Sequence, residues 1–196
     1  MDLKGYRIIL GSNSPRRREL LAAMDVPFIV DTGNSFEESF PPDTPPARVP
    51  VLMAEGKSHG FHRPLEADEI IITADTVVIL DDAEVLGKPH SPEEAERMLR
   101  VLSGRAHDVV TAVTLRSAAR ELTLTDTARV HFEPLTGQQI DYYIDKYRPF
   151  DKAGAYGIQE WIGYVGISGI TGSFYNVMGF PTHLVYRGLQ DFLQAR

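Results

Sequence analysis

The chain has 196 residues, with 20 Lys+Arg against 27 Asp+Glu, a net charge of −7 and no cysteine. That length gives enough interior to fold without covalent staples. The missing cysteines exclude disulfides, Cys-ligated zinc, iron–sulfur clusters and thiol nucleophiles. The negative balance argues against general binding to nucleic-acid polymers or anionic membranes. It is unevenly spread, however. Six acids and no base lie between Arg18 and Arg48, and seven acids and no base between Arg63 and Lys88, while the remainder carries 14 acids against 20 bases. A mildly basic chain therefore carries two acidic segments, made of solvated turn residues or of something more specific.

Taken in order, Arg7 to Ser12 reads as a short apolar strand. A helix follows, with Ser14 as N-cap, Pro15 at its first position and Leu20, Leu21 and Met24 on its apolar face. Phe28-Ile29-Val30 is a second strand. Four prolines between Phe40 and Pro46 mark an extended loop. Pro46 to about Gly60 reads as a helix, with Pro50 tolerable only in its first turn. Glu69 to Leu80 reads as a buried strand that turns at Asp81-Asp82 into Glu84-Val85-Leu86. Ser91-Pro92-Glu93-Glu94 and Thr136-Gly137-Gln138-Gln139 are capping boxes that open two further helices. Val109–Leu115 and Leu122–Phe132 are strands between them, and Val185, Leu189, Phe192 and Leu193 line a closing helix. Interleaved helices and strands predict an α/β fold with a mixed sheet, in a single domain over 1–196. Met1–Tyr6 lacks the apolar run of a signal peptide, and no stretch is long enough to span a bilayer, so a cytoplasmic protein is expected.

Four stretches carry chemistry. Gly11-Ser12-Asn13-Ser14-Pro15-Arg16-Arg17-Arg18 joins a strand to a helix N-terminus, where N–H groups and the Ser12 and Ser14 hydroxyls suit an oxyanion. Arginines in a first helical turn oppose the macrodipole. Either a polyphosphate compensates them, or solvent and nearby acids do. Asp75 interrupts an apolar strand, where a carboxylate needs a cation, a metal or strand-end N–H groups; Lys88 follows the hairpin and can return toward it. Arg148 to Gln159 and Gly172 to Pro181 are glycine-containing loops of ligand-binding or merely structural kind. The histidines do not cluster, so any metal should be a hard cation on oxygen ligands. Walker and dinucleotide-binding glycine motifs are missing.

Five motifs occur together and in order. They are Ser12-x-Ser14-Pro15-Arg16-Arg17-x-Glu19-Leu20-Leu21, Ala74-Asp75-Thr76, Gly87-Lys88-Pro89, Asp151-Lys152-Ala153-Gly154-Ala155-Tyr156-Gly157-Ile158-Gln159 and Gly172-Ser173-x-x-Asn176-Val177-x-Gly179-x-Pro181. Over about Ile8 to Arg187 the chain resembles the Maf family of nucleoside triphosphate pyrophosphatases. The resemblance implies an α/β fold with a mixed twisted sheet, flanking helices and two lobes around a central cleft, related to inosine triphosphate pyrophosphatases. It implies cleavage of a nucleoside triphosphate to monophosphate and pyrophosphate with a divalent cation (Mg2+ or Mn2+), and a homodimer. Asp75 corresponds to the family's proton acceptor. Ser12, Arg17, Lys57 and Lys88 map to phosphate positions, and Glu37 (or Glu38) with Asp75 to the metal. Arg16, Thr76 and Gln159 map to substrate specificity. The Asp-Lys-Ala-Gly-Ala-Tyr-Gly-Ile-Gln version resembles the subgroup acting on dTTP and UTP, with CTP and modified pyrimidine nucleotides left open as further substrates. A purine-directed pyrophosphatase and a non-enzymatic regulator of division are the rival readings. Asp75 and Thr76 pose a geometric problem, since neighbours in a regular strand face opposite sides. Gly56 weakens the helix that carries Lys57.

Overall fold

A computed structural model describes residues 1–81 and 83–194. Asp82, half of the expected Asp81-Asp82 turn, lies outside the described residues. Strand β1 (Arg7–Leu10) leads to helix α1 (Pro15–Ala23), where the Ser14 hydroxyl accepts the Arg17 N–H and Pro15 occupies the first turn. The second strand, β2, is only Ile29–Val30, and a 3-10 turn (Pro46–Arg48) precedes helix α2 (Val49–His59), with Pro50 in its first turn as expected. Strand β3 (Glu69–Leu80) has the predicted bounds, and β4 (Glu84–Leu86) pairs antiparallel with it. Helix α3 (Pro92–Leu102) is capped by Ser91, while the Glu94 carboxylate accepts from the His90 N–H, one residue further out than a closed capping box. Strands β5 (Ala106–Arg116) and β6 (Glu121–Phe132) are longer than the apolar runs that announce them. Thr136 and Gln139 close a full capping box on α4 (Gly137–Tyr147).

Helix α5 (Trp161–Gly166), strand β7 (Ile167–Thr171) and helix α6 (Phe174–Val177) follow, before α7 (Thr182–Gln194). Among the described residues one sheet runs β2-β1-β3-β5-β6-β7, with β4 also on β3. Strand β1 pairs parallel with β2 and β3, whereas β6 and β7 are antiparallel, so the sheet is mixed as predicted. No helix among the described residues is long and apolar enough to cross a membrane.

The chain divides into two compact units. The first is Met1–Asp75 with Thr111–Asp126 and Gly179–Arg196; the second is Thr76–Val110 with Thr127–Met178. In the first, Ile9, Ile71, Phe61 and Leu65 pack together and the start of β3 is pinned electrostatically. Glu69, fully buried, takes both nitrogens of Arg63 at 2.6 and 2.9 Å. These hydrogen bonds hold its carboxyl below the usual carboxylate range. In the second unit, Val78, Leu86, Leu99, Leu102, Val130, Tyr143 and Tyr156 belong to one apolar cluster.

His107 sits beside that cluster. Its Nε2 lies 2.7 Å from the Tyr156 hydroxyl and its ring stacks on Phe132. Burial, reinforced by Arg129 and His131, pulls its pKa down from 6.5 to about 3. An unfolded chain thus binds a proton below pH 6.5 that the folded one refuses until near pH 3. Stability from this group is complete above pH 6.5 and falls as the pH drops. The slope is at most about 1.4 kcal/mol per pH unit. Urea unfolding at pH 7 and pH 5 should show about 2 kcal/mol of acid destabilisation that His107→Gln does not share. Equal pH slopes in the two proteins would refute a neutral buried imidazole.

Candidate active site

Ten of the twelve residues of β3 are buried; the other two are Asp75 and Thr76. The strand neither ends nor breaks there. Successive side chains alternate, so Thr73 and Asp75 share a face and Thr76 takes the other. Helix α2 meets the first face in step. The Thr73 hydroxyl donates to the Ala54 carbonyl at 2.7 Å, and three residues along the helix the Lys57 ammonium donates to Asp75 Oδ1 at 2.6 Å. A lysine therefore answers the carboxylate in the strand, and strand-end N–H groups are not its partner. The same ammonium lies 3.1 Å from Glu38 Oε1. The Lys57 and Asp75 side chains are 17% and 15% exposed and that of Glu38 is 55% exposed, so the inner pair is shielded and the outer carboxylate faces water.

Glycine positions bring the acidic loop to Lys57. The Phe36 ring rests on Gly56, where a Cβ would come within 2.3 Å of two ring carbons. The Asn34 side-chain amide donates to the Lys57 carbonyl at 2.5 Å, its oxygen accepts from the Phe36 N–H at 2.8 Å, and the Ser35 N–H reaches the Gly60 carbonyl at 2.9 Å. Gly56, a liability for the helix when read alone, is the seat of the loop that carries Glu37 and Glu38.

Ser12 is buried at the end of β1, and its hydroxyl accepts from the Ser14 N–H at 3.2 Å and from Arg17 Nη1 at 3.4 Å. Arg17 also donates from Nε to the Gly179 carbonyl at 2.9 Å and from Nη1 to the Ala74 carbonyl at 2.8 Å. Its guanidinium thereby ties the first and last motifs to the residue before Asp75. Burial pulls it below the usual arginine value, and the charge of Asp75 opposes that. Arg16 is half-buried in the same turn.

In the second unit Lys88 is exposed, and its neighbour Gly87 accepts the Gly154 N–H at 3.0 Å, which draws the Gly-Lys-Pro motif alongside the Asp-Lys-Ala-Gly motif. That second loop is held hard. Ala155 adopts φ 60, a conformation costly for alanine unless its surroundings enforce it. Lys152, 7% exposed, is paired with Asp151 at 2.8 Å and Glu160 at 3.0 Å. Gln159 is half-buried, and its Oε1 is buried with no hydrogen-bond partner among the described residues. An acceptor left so costs about 1–3 kcal/mol, which a ligand N–H would recover.

Ser12, Arg17, Lys57 and Asp75 are thus linked in the first unit, with Glu38 on Lys57. Lys88 and Gln159 belong to linked loops in the second, and Thr76 begins it. No cluster of three or more His, Asp or Glu side chains able to hold a metal occurs among the described residues. Asp75 and Glu38 converge on one ammonium. Tyr143 and Glu160 escape sequence reading, although a tyrosine on the buried face of an amphipathic helix needs a partner for its hydroxyl.

Comparison with known proteins places this architecture. A family model described as Maf-like protein matches residues 7–192. A dTTP/UTP pyrophosphatase of Porphyromonas gingivalis is 48% identical over 193 residues, covering 97% of this chain and 96% of the relative. Proteins of the same description from Bacteroides thetaiotaomicron and Parabacteroides distasonis are 46% and 44% identical, the alignments covering 96% and 97% of this chain and 97% and 98% of the relatives. The solved structure of a HAM1 protein from Coxiella burnetii superposes with a TM-score of 0.50 at 14% identity, covering 95% of this chain and 99% of that one, a likeness of fold alone.

Proposed function

The chain belongs to the Maf-like protein family, and from that premise we propose that it hydrolyses dTTP and UTP to the monophosphate and pyrophosphate. The observation that carries this reading is the Lys57–Asp75 pair at the half-buried step of β3, with Glu38 at the same ammonium. A carboxylate on a rigid strand, shielded yet half-open, can take a proton from a water poised against phosphorus. The water oxygen bonds to the α-phosphorus, the bond to the bridging oxygen of the β-phosphate breaks, and pyrophosphate leaves. Asp75 holds the proton.

The donor set fits a divalent cation. Mg2+ is commonly held by one or two carboxylates and completed by substrate phosphates, so a pair of acids without a third suffices. Mg2+ or Mn2+ held there would neutralise phosphate charge and make water easier to deprotonate. The reading assigns Asp75 and one of Glu37 and Glu38 to it, and the Glu38–Lys57 contact favours Glu38.

The phosphates fall to Ser12, Arg17, Lys57 and Lys88. Lys57 neutralises charge building on phosphate oxygens. Arg17, whose Nε and one Nη1 donor already hold the Gly179 and Ala74 carbonyls, also fixes the strand before Asp75. Arg16, Gln159 and Thr76, the last through its backbone because its side chain takes the other face of β3, are assigned to substrate choice. The Gln159 oxygen, without a hydrogen-bond partner among the described residues, would accept the N3–H of uracil or thymine while its amide nitrogen donates to O4. A homodimer in the cytoplasm completes the reading.

A nucleotide panel tests it. With Mg2+ or Mn2+, purified protein should release pyrophosphate from dTTP and UTP well ahead of ATP, GTP and ITP, and Gln159→Glu, which removes the donor, should cut both activities. Preference for a purine triphosphate, or unchanged base preference in Gln159→Glu, would refute the assignment.

A further inference from the structure

Gln159 has a neighbour on each side that is fixed by something other than itself. The residues Gly157-Ile158-Gln159-Glu160 form a turn closed by the Glu160 N–H on the Gly157 carbonyl at 3.0 Å. Both ends of that turn meet one side chain. The Gly157 N–H donates to the Tyr143 hydroxyl at 2.9 Å, and the hydroxyl in turn donates to Glu160 Oε2. The other carboxylate oxygen, Oε1, is 3.0 Å from the buried Lys152 ammonium. A Cβ on Gly157 would lie 2.9 Å from both Glu160 Cδ and Lys152 Cε, so the backbone packs directly on the ion pair. Burial and the Glu160 charge raise the Tyr143 pKa well above its ordinary value. The phenol therefore stays protonated, and the direction of every hydrogen bond in the chain is set.

Selectivity for uracil needs this. A glutamine amide that can turn over offers donor–acceptor pairs that suit either uracil or cytosine, because cytosine reverses both groups at N3 and C4. Among the described residues Gln159 Oε1 is buried without a hydrogen-bond partner, so the place at which the turn sets the side chain decides whether that oxygen or the amide nitrogen meets the base. We infer that Tyr143, Glu160 and Lys152 are positioning residues for base recognition, holding the turn that presents the Gln159 carbonyl and thereby separating uracil and thymine from cytosine nucleotides. The inference rests on the proposed pyrimidine pyrophosphatase activity and adds residues that touch no substrate.

The test compares kcat/KM for UTP and CTP in four proteins: wild type, Tyr143→Phe, Gln159→Ala and the double variant. Tyr143→Phe keeps the ring in the core and deletes only the hydroxyl. The UTP-to-CTP ratio should fall at least about fivefold in Tyr143→Phe, the effect of a single hydrogen bond of about 1 kcal/mol. It should fall further in Gln159→Ala, and the double variant should match Gln159→Ala alone. Glu160→Gln, which keeps an acceptor for Tyr143 but loses the charge facing Lys152, should lower the ratio independently. An unchanged ratio in Tyr143→Phe with only the melting temperature reduced, or an additive fall in the double variant, overturns the inference. So does a wild type that takes UTP and CTP equally. A wild type that turns over neither UTP nor dTTP contradicts the proposed activity itself, and the inference falls with it.

Discussion

Asp75→Asn should lower turnover of dTTP by about 10^2–10^4-fold, the range a positioned general base contributes, while nucleotide binding persists. Asparagine has the shape of aspartate, and its carbonyl can still accept from the Lys57 ammonium that now lies 2.6 Å from Oδ1. The fold around Asp75 should therefore survive. What disappears is the proton acceptor and one of the two negative charges on Lys57. Single-turnover kinetics measure the loss, and calorimetry with an α,β-methylene analogue of dTTP measures retained binding. Wild-type turnover in this variant would remove Asp75 from the chemistry, whatever its partner.

Gly56→Ala should separate activity from stability. Alanine is better than glycine inside a helix by about 1 kcal/mol, so on propensity alone the variant gains. The added methyl, however, would stand 2.3 Å from the Phe36 ring, which must leave its seat. The loop from Asn34 to Glu38 moves with it, and the carboxylate at Lys57 shifts. Misplacement by about 1 Å in such a constellation costs on the order of 10^2-fold in rate. We expect kcat/KM to fall about 10–100-fold with the melting temperature level or raised. Phe36→Ala in the same background relieves the clash without restoring the loop, so activity should stay low. Full activity in Gly56→Ala would mean that the acidic loop does not matter.

The parts of the fold legible in the sequence were those governed by local chemistry. Ser14-Pro15 and Thr136-x-x-Gln139 satisfy helix N–H groups within one turn, and the run from Glu69 to Leu80 has no other way to hide its apolar side chains. Helix α5 and strand β7 were not legible. Glycines at 163 and 166 lower the helix propensity of α5, and Gly169 blanks the alternation of β7, which antiparallel pairing with β6 decides. At the site, Asp75 announced itself as a carboxylate in a buried strand. Lys57 rested on family resemblance, because one lysine on a helix says nothing about which strand it meets. Glu37 and Glu38 sit in a loop without period, and only the packing of Phe36 on Gly56 distinguishes the one at the ammonium. Lys152, Glu160 and Tyr143 are far apart in a pattern-reader's sense, and a network of that kind has no sequence period at all.

The most direct test of the central claim follows the oxygen. Purified protein, dTTP and Mg2+ or Mn2+ are incubated in 18O-water, and the products are separated and weighed by mass spectrometry. Attack of water on the α-phosphorus predicts dTMP and pyrophosphate in equal amounts, with one 18O atom in dTMP and none in pyrophosphate. Label in pyrophosphate, release of orthophosphate with dTDP, or no turnover would contradict it.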